Sequence, residues 1–194
     1  ALLLVGVVVF AVSKDKKRWT ARMLANGALC IALSTVLSFI TLYKMPQGGS
    51  ITLASMLPMF LFAYAYGVGP GMLVGAAYGF VQFLQGGLYF VHPVELLLDY
   101  PLAFAMLGLA GLSNKFSDQW GMIPGIILGT FGRFVCAFLS GLLFFGMYAP
   151  EGQNVVIYSM VYNGLYLVPE AIICIVLAMI PQIRQLAKRL ALQD

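Results

Sequence analysis

The chain has 194 residues, of which 61% are hydrophobic and only 9% are charged. Soluble domains carry about 25% charged residues, so the composition excludes a soluble domain and predicts an integral protein of the lipid bilayer. The net charge of +4 therefore does not point to nucleic acid. A spanning helix takes about 20 residues, and the length allows one small bundle.

The N-terminal segment is apolar over residues 1–13 and is followed by a basic cluster, Lys14, Lys16, Lys17, Arg18 and Arg22. A signal peptide has its basic region before the apolar run, not after it. We therefore interpret residues 1–19 as an extra N-terminal helix segment with a basic cytoplasmic linker.

Six apolar runs follow, separated by turn sequences rich in Gly and Pro. They predict membrane-spanning helices over about 20–43, 52–68, 71–88, 93–112, 122–147 and 154–181. The expected fold is all-α, a polytopic membrane protein with a six-helix domain over residues 20–182. Residues 183–194 are expected to form a basic cytoplasmic tail.

The orientation follows from the basic residues, which favour the cytoplasmic side of a membrane. If the six spans alternate, all eleven Lys and Arg except Lys44 and Arg133 fall on one side. Both ends of the six-helix domain are therefore predicted to be cytoplasmic, which places the loops near 45–51, 88–92 and 148–153 outside.

Two carboxylates, Glu95 and Asp99, lie four residues apart in the fourth span and share a helix face. An acid in hydrocarbon costs roughly 2.5–3.5 kcal/mol on insertion scales, so it usually faces a cavity, a partner or a ligand. With Tyr89, His92 and Tyr100 around them, the two acids predict an outward-facing pocket for a cationic, aromatic solute. Alternatively, Glu95 is solvated at the head-group level, Asp99 pairs with another helix, and His92 caps the fourth span.

The sixth span contributes Tyr158 and Asn163 at a similar depth on the same side. An Asn amide both donates and accepts hydrogen bonds, which suits the edge of a heteroaromatic ring. Bonding between helices is the competing interpretation for Asn163. Arg133 and Glu170 lie deeper, and we expect them to form a structural ion pair between the fifth and sixth spans. A path for protons or substrate is the alternative for these two residues.

Small residues recur along the first span at Ala21, Ala25, Ala28 and Ala32. Such a strip lets another helix approach closely, within the protein or from a partner subunit. Gly75, Gly79, Gly108 and Gly111 offer the same possibility and are expected to serve internal packing.

Motifs for catalysis are missing from the sequence: it contains no Walker loop, no H-E-x-x-H and no G-x-S-x-G. The cysteines Cys30, Cys136 and Cys174 lack metal or disulfide spacing and are expected to pack in apolar surroundings. We therefore expect a protein that is not an enzyme, with no cofactor and no metal site.

Several motifs together resemble the bacterial thiamine transporter family over about residues 20–182. They are Pro46-Gln-Gly-Gly-Ser50, Tyr89-Phe-Val-His-Pro-Val94, Leu96-Leu-Leu-Asp-Tyr-Pro-Leu-Ala-Phe104, Tyr148-Ala-Pro-Glu-Gly152 and Tyr158-Ser with Tyr162-Asn163. The family provides the substrate-binding (S) components of energy-coupling-factor transporters. The resemblance implies a six-helix S component that captures thiamine from outside. It also implies two kinds of partner, a transmembrane T component and two cytoplasmic ATPases.

The resemblance also implies roles for individual residues. Asp99 matches the family's acid facing the ligand, and the 48–50 loop matches a lid. The Ala-xxx-Ala strip resembles the surface that docks the T component. The remaining matches to pocket positions are Tyr100, Tyr158, Asn163, Gly141 and Phe145.

One departure affects the ligand. Where the family pattern has Arg-x-x-x-His, this chain has Arg133 followed by Ala137. The missing imidazole leaves thiamine or a precursor such as its pyrimidine moiety as alternatives. A proton-coupled secondary carrier for a cationic heteroaromatic solute is the competing function.

Overall fold

A computed structural model describes residues 19–86, 92–115 and 121–192. The predicted extra helix over residues 1–13 lies outside this part of the chain. The described elements are helix α1 (Ala21–Phe39), strands β1 (Thr41–Lys44) and β2 (Ser50–Thr52), α2 (Leu57–Tyr66), α3 (Val68–Gln85), α5 (Ile123–Phe144), α6 (Val155–Ala178) and α7 (Pro181–Leu192). Between α3 and α5 lies a composite helix, here α4. It is α-helical over Pro93–Leu97, a π turn over Leu98–Leu102, α-helical again over Ala103–Ala105, and 3-10 helical over Met106–Lys115.

Local chemistry sets the helix ends. The Thr20 hydroxyl accepts from the Met23 N–H at 3.1 Å and caps α1, and the Asn154 side chain accepts from the Val156 N–H at 2.8 Å and caps α6. Each satisfies one of the amides that a helix leaves unpaired at its start. Gly67, at φ +99°, adopts a conformation that favours glycine and separates α2 from α3.

The fold is that of an all-helical membrane protein, as predicted. Four described helices are long and apolar enough to cross a bilayer: Ala21–Phe39, Pro93–Asn114, Ile123–Phe144 and Val155–Ala178. Their outer faces are apolar and exposed, with Leu29 at 66% and Leu143 at 65%.

The second predicted span is shorter than expected. α2 has 10 residues, all of them buried, and at 1.5 Å per residue it reaches only about half of a hydrocarbon core. It occupies the centre of the bundle instead, surrounded by the other helices. Residues 52–56, which the pattern placed in this span, form the end of β2 and a turn in which Ala54 has a positive φ of 57°.

A β-hairpin replaces the end of the first predicted span. α1 stops at Phe39, and β1 pairs antiparallel with β2 in the register Thr41 to Thr52 and Lys44 to Ser50. Residues 41–44 (Thr-Leu-Tyr-Lys) are mainly β-branched, aromatic or apolar, a composition that suits a strand once a partner is available. The hairpin places residues 45–49 at its tip.

Glycines on α3 allow α4 to pack with its backbone in close contact. A Cβ added at Gly75 would collide with the Phe104 carbonyl oxygen, and one at Gly79 would meet the Tyr100 carbonyl oxygen at 2.5 Å. Gly108 is in similarly close contact with Met72. The prediction that these glycines serve internal packing is confirmed, and the contact positions Tyr100 and its neighbours against α3.

The predicted basic tail is helical. α7 covers Pro181–Leu192 and packs against α2, with Ala187 buried and Ile183 and Leu190 against the core. The helix was not predicted because the tail is rich in basic residues, Arg184, Lys188 and Arg189, and its few apolar positions fall on one narrow helix face.

Candidate functional site

A cavity of about 740 Å³ opens at the hairpin end of the bundle. This volume lies within the 300–1,000 Å³ typical of small-molecule sites. α1, α3, α4, α5, α6 and the hairpin all contribute to its walls. Predicted ligand-binding residues that line it are Glu95, Asp99, Tyr100, Ala137, Gly141, Phe145, Tyr158 and Asn163.

Asp99 lies on the π turn of α4. Pro101, inside the same turn, has no N–H and so cannot complete the regular helical bonding pattern. Such π turns occur frequently at functional sites. The Ser140 hydroxyl donates to Asp99 Oδ2 at 2.8 Å. Within the part of the chain that the structure describes, no group donates to the other carboxylate oxygen, and the side chain is half-buried at the cavity wall.

Tyr100 is held between α3 and the cavity. Its ring meets Phe83 edge-on, with ring centroids 5.3 Å apart. A Cβ added at Gly86 would lie 3.1 Å from its hydroxyl oxygen. The phenol is thus positioned by α3 while lining the cavity.

Glu95 and His92 form a capping box at the start of α4. The Glu95 carboxylate accepts from the His92 N–H at 3.2 Å, and His92 Nδ1 accepts from the Val94 N–H at 3.1 Å. Glu95 is buried and lines the cavity. His92 is exposed, does not line the cavity and stacks on Phe144. The capping interpretation of His92 is therefore supported, and a pocket role is not. Tyr89 lies outside the described residues.

Asn163 is 5% exposed and forms a fixed part of the opposite wall. Its Nδ2 donates to the Ser159 carbonyl at 2.9 Å and the Ala137 carbonyl at 3.3 Å. Its Oδ1 accepts from the Tyr166 hydroxyl at 2.9 Å. The amide therefore ties α5 to α6 as well as lining the cavity, so both interpretations of Asn163 describe part of its environment.

Ala137 and Gly141, four residues apart on α5, line the cavity, and Phe145, the residue that ends this helix, lines it as well. Gly141 is required for the approach of α6, because a Cβ there would collide with the Ser159 hydroxyl. Phe145 stacks on Tyr148 with centroids 6.0 Å apart. Ala137 contributes only a methyl group to this wall of the cavity.

Arg133 and Glu170 have different partners from those predicted. The Arg133 guanidinium carbon lies 4.1 Å from the Phe104 ring centroid, at the cavity wall. Glu170 Oε1 accepts from the hydroxyls of Thr52 at 2.6 Å and Ser55 at 2.9 Å. These contacts replace the direct ion pair predicted from the sequence. They arise because the hairpin, which the pattern missed, inserts its base beside Glu170.

The hairpin, which includes the 48–50 loop expected to act as a lid, forms part of the cavity wall. Gly48, Gly49 and Ser50 line the cavity, together with Lys44 from β1. The tip is closed by its own bonds, with Met45 N–H donating to the Gly49 carbonyl at 2.7 Å. Gly48 has a φ of +99°, which this tight turn needs.

A polar cluster on α1 and α3 was missed by the sequence analysis. Gln82 Nε2 donates to Ser38 Oγ at 3.1 Å and to Gln85 Oε1 at 2.7 Å. Gln82 Nε2 also donates to Tyr78 Oη at 3.0 Å. Ser38, Gln82 and Gln85 all line the cavity. The sequence does contain a signal for this cluster, since two glutamines interrupt an otherwise apolar span. Polar groups in such spans normally face a partner or a cavity.

The charged groups at the cavity are Asp99 and Glu95 on α4, Arg133 on α5 and Lys44 on the hairpin. Among the described residues, no three His, Cys, Asp or Glu gather into a group that could hold a metal ion. The arrangement suits an organic ligand with a positive charge and aromatic surface, since carboxylates and tyrosine faces both attract cations.

Comparison with known proteins gives a consistent family. Residues 24–190 match the family described as thiamine transporter protein (Thia_YuaJ). Thiamine transporter ThiT of Bacillus subtilis is 36% identical over 160 residues, covering 76% of this chain and 83% of that protein. ThiT of Lacticaseibacillus paracasei is 32% identical over 123 residues, covering 56% of this chain and 61% of that protein. The structure of ThiT from Listeria monocytogenes superposes with a TM-score of 0.72 at 27% identity, covering 86% of this chain and 93% of the other.

Proposed function

Since this chain belongs to the thiamine transporter family, we propose that its 740 Å³ cavity binds thiamine for import. The chain is a multi-pass membrane protein of a transporter family. One observation supports the cavity as the binding site above all others. The half-buried Asp99 carboxylate borders a cavity walled by tyrosines, with one oxygen uncommitted to the described residues.

Thiamine matches this chemistry because it is a fixed cation carrying two aromatic rings. A carboxylate in an apolar wall neutralises the cation, and contact with a tyrosine or phenylalanine face adds about 0.5–2 kcal/mol when desolvated. Tyr100, Phe145 and Tyr158 offer such faces. The amide groups of Gln82 and Gln85 offer donors and acceptors for the edge of an aminopyrimidine ring.

The direction of capture follows from charge distribution. The cavity lies at the end of the bundle that carries the hairpin, and the basic residues Arg184, Lys188 and Arg189 belong to α7. Because basic residues favour the cytoplasmic side, α7 is assigned to the cytoplasm and the cavity to the outside.

We further propose that the chain is an S component working with a T component and two ATPases. The sequence contains no Walker loop for ATP hydrolysis. Transport against a gradient therefore needs an energy source outside this chain. Ala21, Ala25, Ala28 and Ala32 are exposed along α1, and this strip of small side chains supports close docking of a partner helix. A proton-coupled carrier would take up thiamine into liposomes on a pH gradient alone, without these partners.

The first test is calorimetric titration of the detergent-purified protein with thiamine and, separately, with its hydroxymethylpyrimidine precursor. Saturable 1:1 binding of thiamine is expected. Asp99→Asn combined with Asn163→Ala should abolish binding. Glu151→Gln, an exposed acid outside the cavity, is the matched control and should leave it unchanged.

The outcomes separate the ligand from the site. Binding of the precursor alone would change the proposed substrate from thiamine to its pyrimidine precursor. Ala137, in place of the histidine of the family pattern, would then explain the difference. Unchanged thiamine affinity in the double variant would reject the assigned pocket. Absence of binding for both compounds would reject the proposed function.

A further inference from the structure

Tyr162 on α6 is joined to the tip of the hairpin by two hydrogen bonds. Its hydroxyl oxygen accepts from the Gln47 N–H at 3.1 Å and from the Gly49 N–H at 3.3 Å. Both donors are backbone amides of residues 45–49, the part of the hairpin that lies over the cavity. A single phenol oxygen therefore holds both sides of the turn.

The same helix provides the surface on which the tip rests. A Cβ added at Gly49 would lie 2.7 Å from Cδ1 of Tyr166, so glycine is needed for this approach. Tyr166 stands edge-on to Tyr162 with centroids 6.1 Å apart. The Tyr166 hydroxyl in turn donates to Asn163 Oδ1. The tip is thus seated on the wall that lines the cavity.

The base of the hairpin is held in a different way. Glu170, two turns further along α6 and 2% exposed, accepts from the Thr52 and Ser55 hydroxyls. These are charge-assisted bonds in a buried place, whereas the bonds at the tip come from neutral amides at the half-buried Tyr162. The tip is consequently the part of the hairpin that can leave α6 while the base stays in position.

We propose that Tyr162 is a latch: a positioning residue that holds the hairpin tip over the cavity and limits passage of ligand in both directions. The identity of the ligand rests on the proposed function, whereas the contacts of the latch are given by the structure itself. Tyr162 itself lines the cavity; removing its hydroxyl oxygen releases the two amides of the tip and leaves the ring and the residues proposed to bind the ligand in place. Passage in and out then speeds up together, since opening of a lid precedes both entry and exit.

Tyr162→Phe tests the latch, with Tyr43→Phe as matched control. Tyr43 lies on β1 of the same hairpin, is exposed and does not line the cavity. Stopped-flow binding of thiamine to Tyr162→Phe should show association and dissociation rates both raised by about fivefold, as expected for loss of neutral hydrogen bonds. The dissociation constant should change by less than about threefold, because the two rates shift together. Tyr43→Phe should match the unaltered protein.

A change in the dissociation rate alone would overturn the proposal, because it would make Tyr162 a direct ligand contact. Equal rates in Tyr162→Phe and the unaltered protein would overturn it as well.

Hydrogen–deuterium exchange provides a readout without ligand. A peptide covering residues 44–52 should exchange faster in Tyr162→Phe, while peptides from α2 should not change. Gly49→Ala, which obstructs the seat on Tyr166, should give the same result, and Gly164→Ala on α6, with open space around it, should not. Unchanged exchange in both test variants would reject the latch. Failure of thiamine to bind the unaltered protein would reject the proposed function instead, with the exchange result still deciding the latch.

Discussion

Asp99 and Glu170 are both carboxylates within apolar helices, yet their surroundings differ. Glu170 is 2% exposed, accepts from two hydroxyls and lies away from the cavity. Asp99 is half-buried, accepts from Ser140 alone among the described residues, and borders the cavity. Glu170 therefore receives two protein donors, both at Oε1, away from the cavity, whereas Asp99 receives one and faces the cavity, where a ligand can supply a further partner.

The comparison shows what an acid inside a membrane segment indicates. Residue type and depth by themselves suggest function for both, because burial of an acid is costly. The number of protein donors and access to a cavity separate the two, since a satisfied buried group rigidifies the structure while an incompletely satisfied one is available to a ligand. Three substitutions test this distinction.

Asp99→Asn should have the largest effect, on ligand binding. It removes the charge that faces the cation, and hydrogen-bonded interactions with a charged group contribute about 1.5–3 kcal/mol, so we expect thiamine affinity to fall roughly 100-fold. The thermal unfolding midpoint in detergent should change little. Calorimetry and a thermal-shift assay measure the two quantities, with Glu151→Gln as control. Retained affinity would remove the basis for treating Asp99 differently from Glu170.

Glu170→Ala should act on stability. It removes the acceptor that the buried hydroxyls of Thr52 and Ser55 share and leaves them only their mutual bond, from Thr52 Oγ1 to Ser55 Oγ at 2.8 Å, so the loss of stability should be about 1–3 kcal/mol. The unfolding midpoint should fall, while thiamine affinity should fall less than in Asp99→Asn. Glu170→Gln keeps an oxygen acceptor and should recover much of the stability. A loss of affinity as large as that of Asp99→Asn, at unchanged stability, would contradict the structural role.

Ser140→Ala should have the smallest effect. It removes the one described donor to Asp99 and leaves the carboxylate charge in place, so affinity should fall roughly twofold to tenfold. Thr130→Val on the same helix is the matched control, because the Thr130 hydroxyl is buried and has no hydrogen-bond partner among the described residues. Titration of both variants with thiamine measures the difference. Equal affinities in the two would show that Ser140 does not orient Asp99.

Prediction from sequence succeeded where the relevant information is local. Apolar runs located the six helices of the core, and the spacing of Glu95 and Asp99 on one helix face held because helical periodicity determines it. The pocket positions matched through family resemblance all line one cavity: Asp99, Tyr100, Gly141, Phe145, Tyr158 and Asn163.

It failed where the outcome depends on a distant partner. Residues 41–44 form a strand only because residues 50–52 pair with them, and strand preference depends strongly on such context. Thr52 of the same hairpin and the adjacent Ser55 provide the partners of Glu170. Glu170 therefore bonds to these hydroxyls in place of the predicted partner Arg133. Ser38, Gln82 and Tyr162 were missed because their importance comes from neighbours more than 40 residues away.

Hydropathy and helical spacing are properties of short segments, so they were enough to predict a helical membrane protein with acids, tyrosines and an asparagine near one end. Which of those polar groups bond to the protein and which remain available to a ligand depends on the packing of distant segments. The outcome depends on how closely helices approach, as at Gly79 and Gly141, and on which hydroxyls and amides are thereby brought within hydrogen-bonding distance.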